Sequence, residues 1–260
     1  MLKLTLASSI AAALLVPSAT FAGTIPTTFS AANFSDPLTI GNIYFPLVPG
    51  TTYISRSDIG GGTCEADVTT VTYETRVIDG VTTRIVHDSV YDSASCSTAP
   101  AALTEDTQDY YAQDNSGNVW YMGEDTFTCQ GVGNCTPSAG AWIGGVNGAQ
   151  PGIIMLATPH SGDRYRQEYL QGVAQDQAVV DAVGVTAKMT RGDAYRSSYN
   201  NCLVTKEFSV LEKGAIEYKT YCPNIGVVQT VEHRGKVIYS ELTSISGTAN
   251  ALKFRTLQKH

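Results

Sequence analysis

Apolar and β-branched residues in this chain recur at every second position, in runs broken by Gly, Asn, Asp and Pro, and no long helical period is present. The clearest unit is residues 109–125. A β-prone run ends at Asp114, Asn115-Ser116-Gly117 supplies a turn, and a second run covers 118–122 before Gly123. Residues 68–78 and 81–91 flank Asp79-Gly80, the preferred dipeptide of a type I′ turn, and predict a long hairpin. Residues 202–210 and 215–222 flank Glu212-Lys213-Gly214, and 227–233 with 236–246 close the series around Arg234-Gly235. Residues 164–169 alternate as a strand, with Arg164, Arg166 and Glu168 on one face and Tyr165, Gln167 and Tyr169 on the other. Residues 173–185 mix helix and strand formers; the Val pairs read as strand. Residues 144–163 read as a long Gly/Pro-rich connection, with 153–156 as an apolar insert plugged into the core.

These elements predict an all-β protein with a single antiparallel meandering sheet. The domain covers 43–260, preceded by an irregular leader at 23–42 that is Thr-, Ser-, Ala- and Pro-rich. Residues 1–22 combine Lys3, an apolar stretch and Thr20-Phe21-Ala22, the order of a secretory signal peptide. The expected location is therefore periplasmic or extracellular. No later stretch is long and apolar enough for a membrane-spanning helix.

Six cysteines in an exported chain are read as three disulfides. Pairing across the Asp79-Gly80 turn puts Cys64 opposite Ser95, so a one-residue slip gives Cys64–Cys96, with Cys64–Cys129 as the alternative. A hairpin centred one residue before Lys213 sets Cys202 against Cys222. Cys129–Cys135 follows by elimination and from the short Gly-rich loop between them.

Six segments carry a family resemblance: 44–53 (YFPLVPGTTY), 109–114 (DYYAQD), 117–126 (GNVWYMGEDT), 148–155 (GAQPGIIM), 162–169 (GDRYRQEY) and 202–205 (CLVT). The chain resembles a family of exported bacterial β-proteins of largely unassigned function, over roughly residues 44–245. The CLVT strand and 221–228 also look like the closing strands of lipoprotein-carrier-like half-barrels. The resemblance implies a sheet curled into a half-barrel whose concave face is an apolar groove. Two positions depart from the pattern: 190–199 replaces a Val-Pro-Ala-Gly-Thr-Phe turn, and Cys222 replaces an Ala, which fits a bridge to Cys202.

The formal charge of −7 argues against nucleic acid or an anionic membrane surface as a partner. Carboxylates Asp109, Asp114, Glu124, Asp125 and Glu168 are the candidates for a glycan hydrolase, which needs two across a groove; as turn residues they read instead as solvated or bonded to nearby backbone. There is no EF-hand-type loop, and His87, His160, His233 and His260 are scattered without HExxH spacing. Pro159-His-Ser-Gly-Asp163 holds Ser, His and Asp but no Gly-x-Ser-x-Gly, and no Cys-x-x-Cys occurs. No catalytic residue, metal or cofactor is assigned. The expected function is non-enzymatic binding of a lipid or other amphiphile, with Trp120, Tyr121, Trp142, Met155, Arg164 and Arg166 as the binding residues. The rival readings are a glycan-acting hydrolase and an envelope structural protein.

Overall fold

The computed structural model describes residues 24–25, 27–93 and 102–247. The expected signal segment 1–22, Cys96 and His260 lie outside the described residues. Among the described residues the chain is all-β apart from one 3-10 turn at Ala31–Asn33. The strands are β1 (Thr51–Gly60), β2 (Thr63–Ile78), β3 (Val81–Ser93), β4 (Ala102–Gln113), β5 (Val119–Cys129), β6 (Cys135–Pro137), β7 (Trp142–Ile143) and β8 (Gln150–Met155). They continue with β9 (Arg164–Arg166), β10 (Glu168–Tyr169), β11 (Asp176–Lys188), β12 (Ser198–Ser209), β13 (Ile216–Cys222), β14 (Gly226–His233) and β15 (Val237–Gly247).

All strands join one antiparallel sheet, in the order β10-β8-β5-β4-β3-β2-β1-β15-β14-β13-β12-β11-β9, with β6 and β7 added beside β5. The first and last strands pair with each other, so the two free ends of the sheet fall in mid-chain. Those ends, β9 and β10, are separated by Gln167 alone. The expected curled sheet is therefore present, and its curl runs nearly to a closed barrel with one open seam. Thr24 and Ile25 lie along β9 at this seam, with Ile25 N donating to Arg164 O at 2.7 Å, which covers part of the exposed edge.

The turns form as their residues dictate. Asp79 and Gly80 both take positive φ, 47° and 81°, as a type I′ turn requires. Asp114 Oδ1 accepts from Ser116 N and Asn118 N, and its Oδ2 from Trp120 Nε1 at 2.8 Å, pinning the β4–β5 turn. Residues 153–156 are buried as expected, but 153–155 belong to β8, paired with β5, rather than to a loop insert. Residues 176–188 are strand throughout.

Two disulfides match expectation. Cys129 and Cys135 are direct partners of β5 and β6, and Cys202–Cys222 closes the β12–β13 hairpin in the register that pairs Leu203 with Tyr221. The register of the first long hairpin needs correction. A bulge between Val71 and Thr75 moves Cys64 opposite Ser93 instead of Ser95. Thr72 Oγ1 holds this bulge by donating to Ile85 O, and Arg84 Nη1 donates to Tyr73 O. Cys64 is disulfide-bonded, and its expected partner is outside the described residues.

The described residues 27–42, which carry the 3-10 turn, are packed against the sheet. Phe29 and Phe34 meet the Trp120 ring edge-on at 5.8 and 6.0 Å. Buried Asn42 donates to Gly117 O and Leu156 O. Phe45 then enters one end of the barrel, 5.3 Å from the Tyr111 ring and 6.2 Å from Tyr221. Residues 40–47 thus plug that end, with Ile40 and Leu47 buried beside it.

The seam rests on Gly152. A Cβ there would stand 2.4 Å from the Gln167 carbonyl carbon and oxygen and 2.5 Å from Arg166 O. Gly152→Ala should therefore cost about 1–3 kcal/mol by forcing backbone apart, whereas Gly192→Ala, with nothing within 4 Å, should be near neutral. Thermal denaturation of the two variants checks this; equal melting temperatures would show that the seam does not depend on the close approach.

Candidate functional site

Inward side chains change in character along each strand. On β2 they run Glu65, Asp67, Thr69, Val71; on β13 Glu217, Lys219, Tyr221; on β14 Glu232, Thr230, Val227. Carboxylates crowd the open end and apolar groups the plugged end. The lumen contains two adjoining chambers that share Glu65, Val90, Glu105, Glu217 and Glu232 in their walls. The outer one, about 660 Å³, also meets Glu124, Glu168, Asp176, Glu207, Glu212, His233 and Arg234. The inner one, about 370 Å³, meets Asp67, Asp88, Asp109 and Lys219, with a floor of Phe45, Leu47, Tyr111, Ile154, Tyr221 and Ile225.

Several carboxylates stand directly across from one another on paired strands: Asp109 and Glu124, Glu207 and Glu217, Glu217 and Glu232. Like charges so placed repel. Burial, and after it Glu124, pushes Asp109 up to about 7, although Tyr121 Oη donates to it at 2.5 Å. Burial, then Asp176 and Glu124, pushes Glu168 up to about 8. Glu65 rises to about 7 through burial, then Asp92 and Glu232. Asp88 is raised by burial and then by the Asp67 carboxylate on the neighbouring strand.

One pairing runs the other way. Lys219 Nζ lies 3.1 Å from Glu207 and 3.0 Å from Glu217. Burial alone would raise Glu207, but Lys219, with Thr205 Oγ1 donating at 2.6 Å, holds it below the usual carboxylate range. Lys219 is in turn held firmly protonated: burial works against its charge and is outweighed by the two glutamates.

The structure separates the sequence candidates. Asp109, Glu124 and Glu168 meet in the lumen. Asp114 is a turn anchor, and Asp125 binds Arg76 at 2.5 Å and Tyr110 Oη at 2.7 Å outside it. Among the six binding candidates, Tyr121 and Trp142 stand behind lining carboxylates; Trp142 Nε1 donates to Glu168 at 2.8 Å, and the Tyr121 ring stacks on Tyr111 at 5.0 Å. Trp120 lies under the leader phenylalanines. Met155 is fully buried, and its neighbour Ile154 lines the inner chamber. Arg164 is exposed, and Arg166 donates to Thr27 O and Pro151 O at the seam. The alternation read over 164–169 breaks at Gln167, where the chain steps from one sheet edge to the other; buried Gln167 and Glu168 both belong to this crossing.

Sequence reasoning missed the lumen residues Glu65, Asp67, Asp88, Glu105, Glu207, Glu217, Lys219 and Glu232. Their only signal was a carboxylate recurring at alternate positions of several strands. It also missed Glu241, fully buried, which accepts from Thr190 N and Arg191 N and ties the 190–199 loop to the wall.

The Ser/His/Asp groupings are not set for hydrolysis. Ser161 Oγ donates to Asp181 O at 2.9 Å, leaving His160 with Asp163. On the outer wall, Asp106 binds His87 Nε2, the same nitrogen that Ser89 Oγ approaches at 3.4 Å. The acid thus occupies the position a base needs free for its nucleophile.

The raised carboxylates make stability pH-dependent. Asp109, Glu65 and Glu168 titrate near 4 in an unfolded chain and at about 7 to 8 when folded. Within that window the folded protein holds protons that the unfolded chain has released, so stability falls as pH rises and is fully present only below it. The depressed Glu207 and Glu241 act oppositely, contributing above their unfolded values and failing in acid. The melting temperature should peak near about pH 5 and fall toward about pH 8. Asp109→Asn and Glu168→Gln should each flatten that fall; a melting temperature that climbs over this range would contradict the assignment.

No known protein family matches the chain, and no curated protein does. Two solved structures are similar to it. One is a "putative exported protein with YmcC-like fold" from Bacteroides fragilis, with a TM-score of 0.43 and 14% identity over 79% of this chain and 99% of that one. The other is a "putative lipoprotein" from Parabacteroides distasonis, with a TM-score of 0.35 and 15% identity over the same shares. At this level of likeness neither bears on the ligand or the chemistry of the lumen.

Proposed function

We propose that this protein is an exported, non-enzymatic binding protein that holds an amphiphilic ligand in the barrel lumen. The observation that carries the reading is the two-chamber cavity, apolar at its plugged end and lined by carboxylates at its open end. Binding sites for amphiphiles need an apolar recess with a few polar groups at its rim. The segment 40–47 supplies the floor through Phe45 and Leu47, and Tyr121 and Trp142 position the Asp109 and Glu168 side chains that they bond. Disulfides at Cys129–Cys135 and Cys202–Cys222 support an oxidising, extracytoplasmic location.

A second reading, glycan hydrolysis, has one specific observation in its favour. Glu168 keeps a proton near neutrality beside Asp176 and Glu124, under Trp142, an arrangement available to a general acid.

Native mass spectrometry of the protein purified from its host should find a co-purified lipid or other amphiphile. Thr69→Phe, which fills the inner chamber from its wall, should abolish that adduct with little change in melting temperature. Loss of reducing-end release in Glu168→Gln during a glycan screen would overturn the binding reading in favour of the hydrolase. Wild-type protein free of any adduct, with an adduct-free Thr69→Phe alongside, would count against a lumen ligand.

A further inference from the structure

The charge of the lumen specifies the ligand's head group, on the premise that the lumen is the binding site. We propose that the ligand is a cationic amphiphile, with an ammonium-type group among the carboxylates where the two chambers join and an apolar tail on the inner floor.

Three observations converge. First, the wall is unbalanced. Glu65, Glu105 and Glu232 stand at the junction, Asp67 and Asp88 line the inner chamber, and the cation that reaches it, Lys219, is already engaged by Glu207 and Glu217. Glu232 also faces Glu217 directly across the sheet, an unfavourable carboxylate pair, and a bound cation relieves that repulsion.

Second, a buried acceptor on the wall of the inner chamber lacks a protein donor. No protein donor reaches Asp88 Oδ1. A buried acceptor without a donor is costly, and an ammonium carries three donors.

Third, the lumen already displays the recognition it would use. Lys219 Nζ sits between two carboxylates at 3.1 and 3.0 Å, below a wall that ends in apolar side chains. A ligand ammonium among Glu65, Glu105 and Glu232 repeats this geometry one step nearer the mouth. A bare divalent ion is a poorer match, because Ca²⁺ draws six to eight oxygens to about 2.3–2.6 Å, whereas these carboxylates line a space of about 370 Å³. At about 30 Å³ per water-sized group, that space suits a tail of octyl length.

Isothermal titration calorimetry of the wild-type secreted protein tests the inference with probes that share one tail: octylammonium, octanoate and octyl glucoside. The cationic probe should bind at least tenfold more tightly than the other two. Glu65→Gln/Glu232→Gln should weaken it several-fold while leaving octyl glucoside unchanged. Equal or tighter binding of octanoate or octyl glucoside would overturn the cationic assignment and leave the lumen reading standing. If no octyl probe binds, the lumen reading itself fails, and this inference with it. Stoichiometric Ca²⁺ binding that excludes octylammonium would replace the organic cation with a metal and overturn the proposal. Because the decisive comparison uses wild-type protein, it does not depend on any variant folding.

Discussion

Gly152 presses against the Gln167 peptide at a distance that no side chain would allow. At this contact the two free ends of the sheet are brought together. β8 meets the chain where it leaves β9 for β10, and one residue spans the gap between the sheet's edges. Every strand between them, from β5 round to β11, is then held in a closed arc, so its inward face looks into an enclosed space rather than a groove. Thr24 and Ile25 lie against the same seam. An exposed strand edge is a template for unwanted pairing, and here the leader takes up part of it.

Closure also creates the electrostatic tension of the lumen. In an open sheet the inward carboxylates would be solvated and largely indifferent to one another. Facing inward around a ring, they lose water and see each other, and this is why Asp109, Glu65 and Glu168 keep protons close to neutral pH. The opposite end is filled by residues 40–47, so the lumen has a dry floor and a wet, acidic mouth. Burying apolar floor residues stabilises the fold, while the carboxylate wall works against it. Buried polar groups that do not help the core are common at sites of function.

Bulges decide which carboxylates join that wall. On β5, Met122 and Gly123 occupy the space of one residue, shifting partners from Tyr110–Gly123 to Tyr111–Tyr121. The inward parity therefore passes from Tyr121 to Glu124, and Asp125 turns outward to Arg76. Gly123 is required at this point, since its φ is 146° and a Cβ would lie 2.7 Å from Trp142 O. Asp109 and Glu124 face each other because of this single irregularity.

The sequence by itself determined what is local. Period-two patterning specified strands, Asp79-Gly80 and 115–117 specified turns, and the short spacing across 202–222 specified a register tight enough to place a disulfide. The Gly/Pro-rich composition of 144–163 concealed β8, because the short apolar run 153–156 looks the same in a loop insert as in a buried strand. What only the tertiary structure decided is which face of each strand is inside. Asp109, Asp114, Glu124 and Asp125 are near neighbours in the chain, yet two line the lumen and two do not. Their separation depends on bulge positions, on the closure at Gln167 and on a leader that plugs one end, all set by contacts between residues far apart in sequence. The same holds for Lys219 and the glutamates around it, which are unremarkable alternating charges until three strands bring them together.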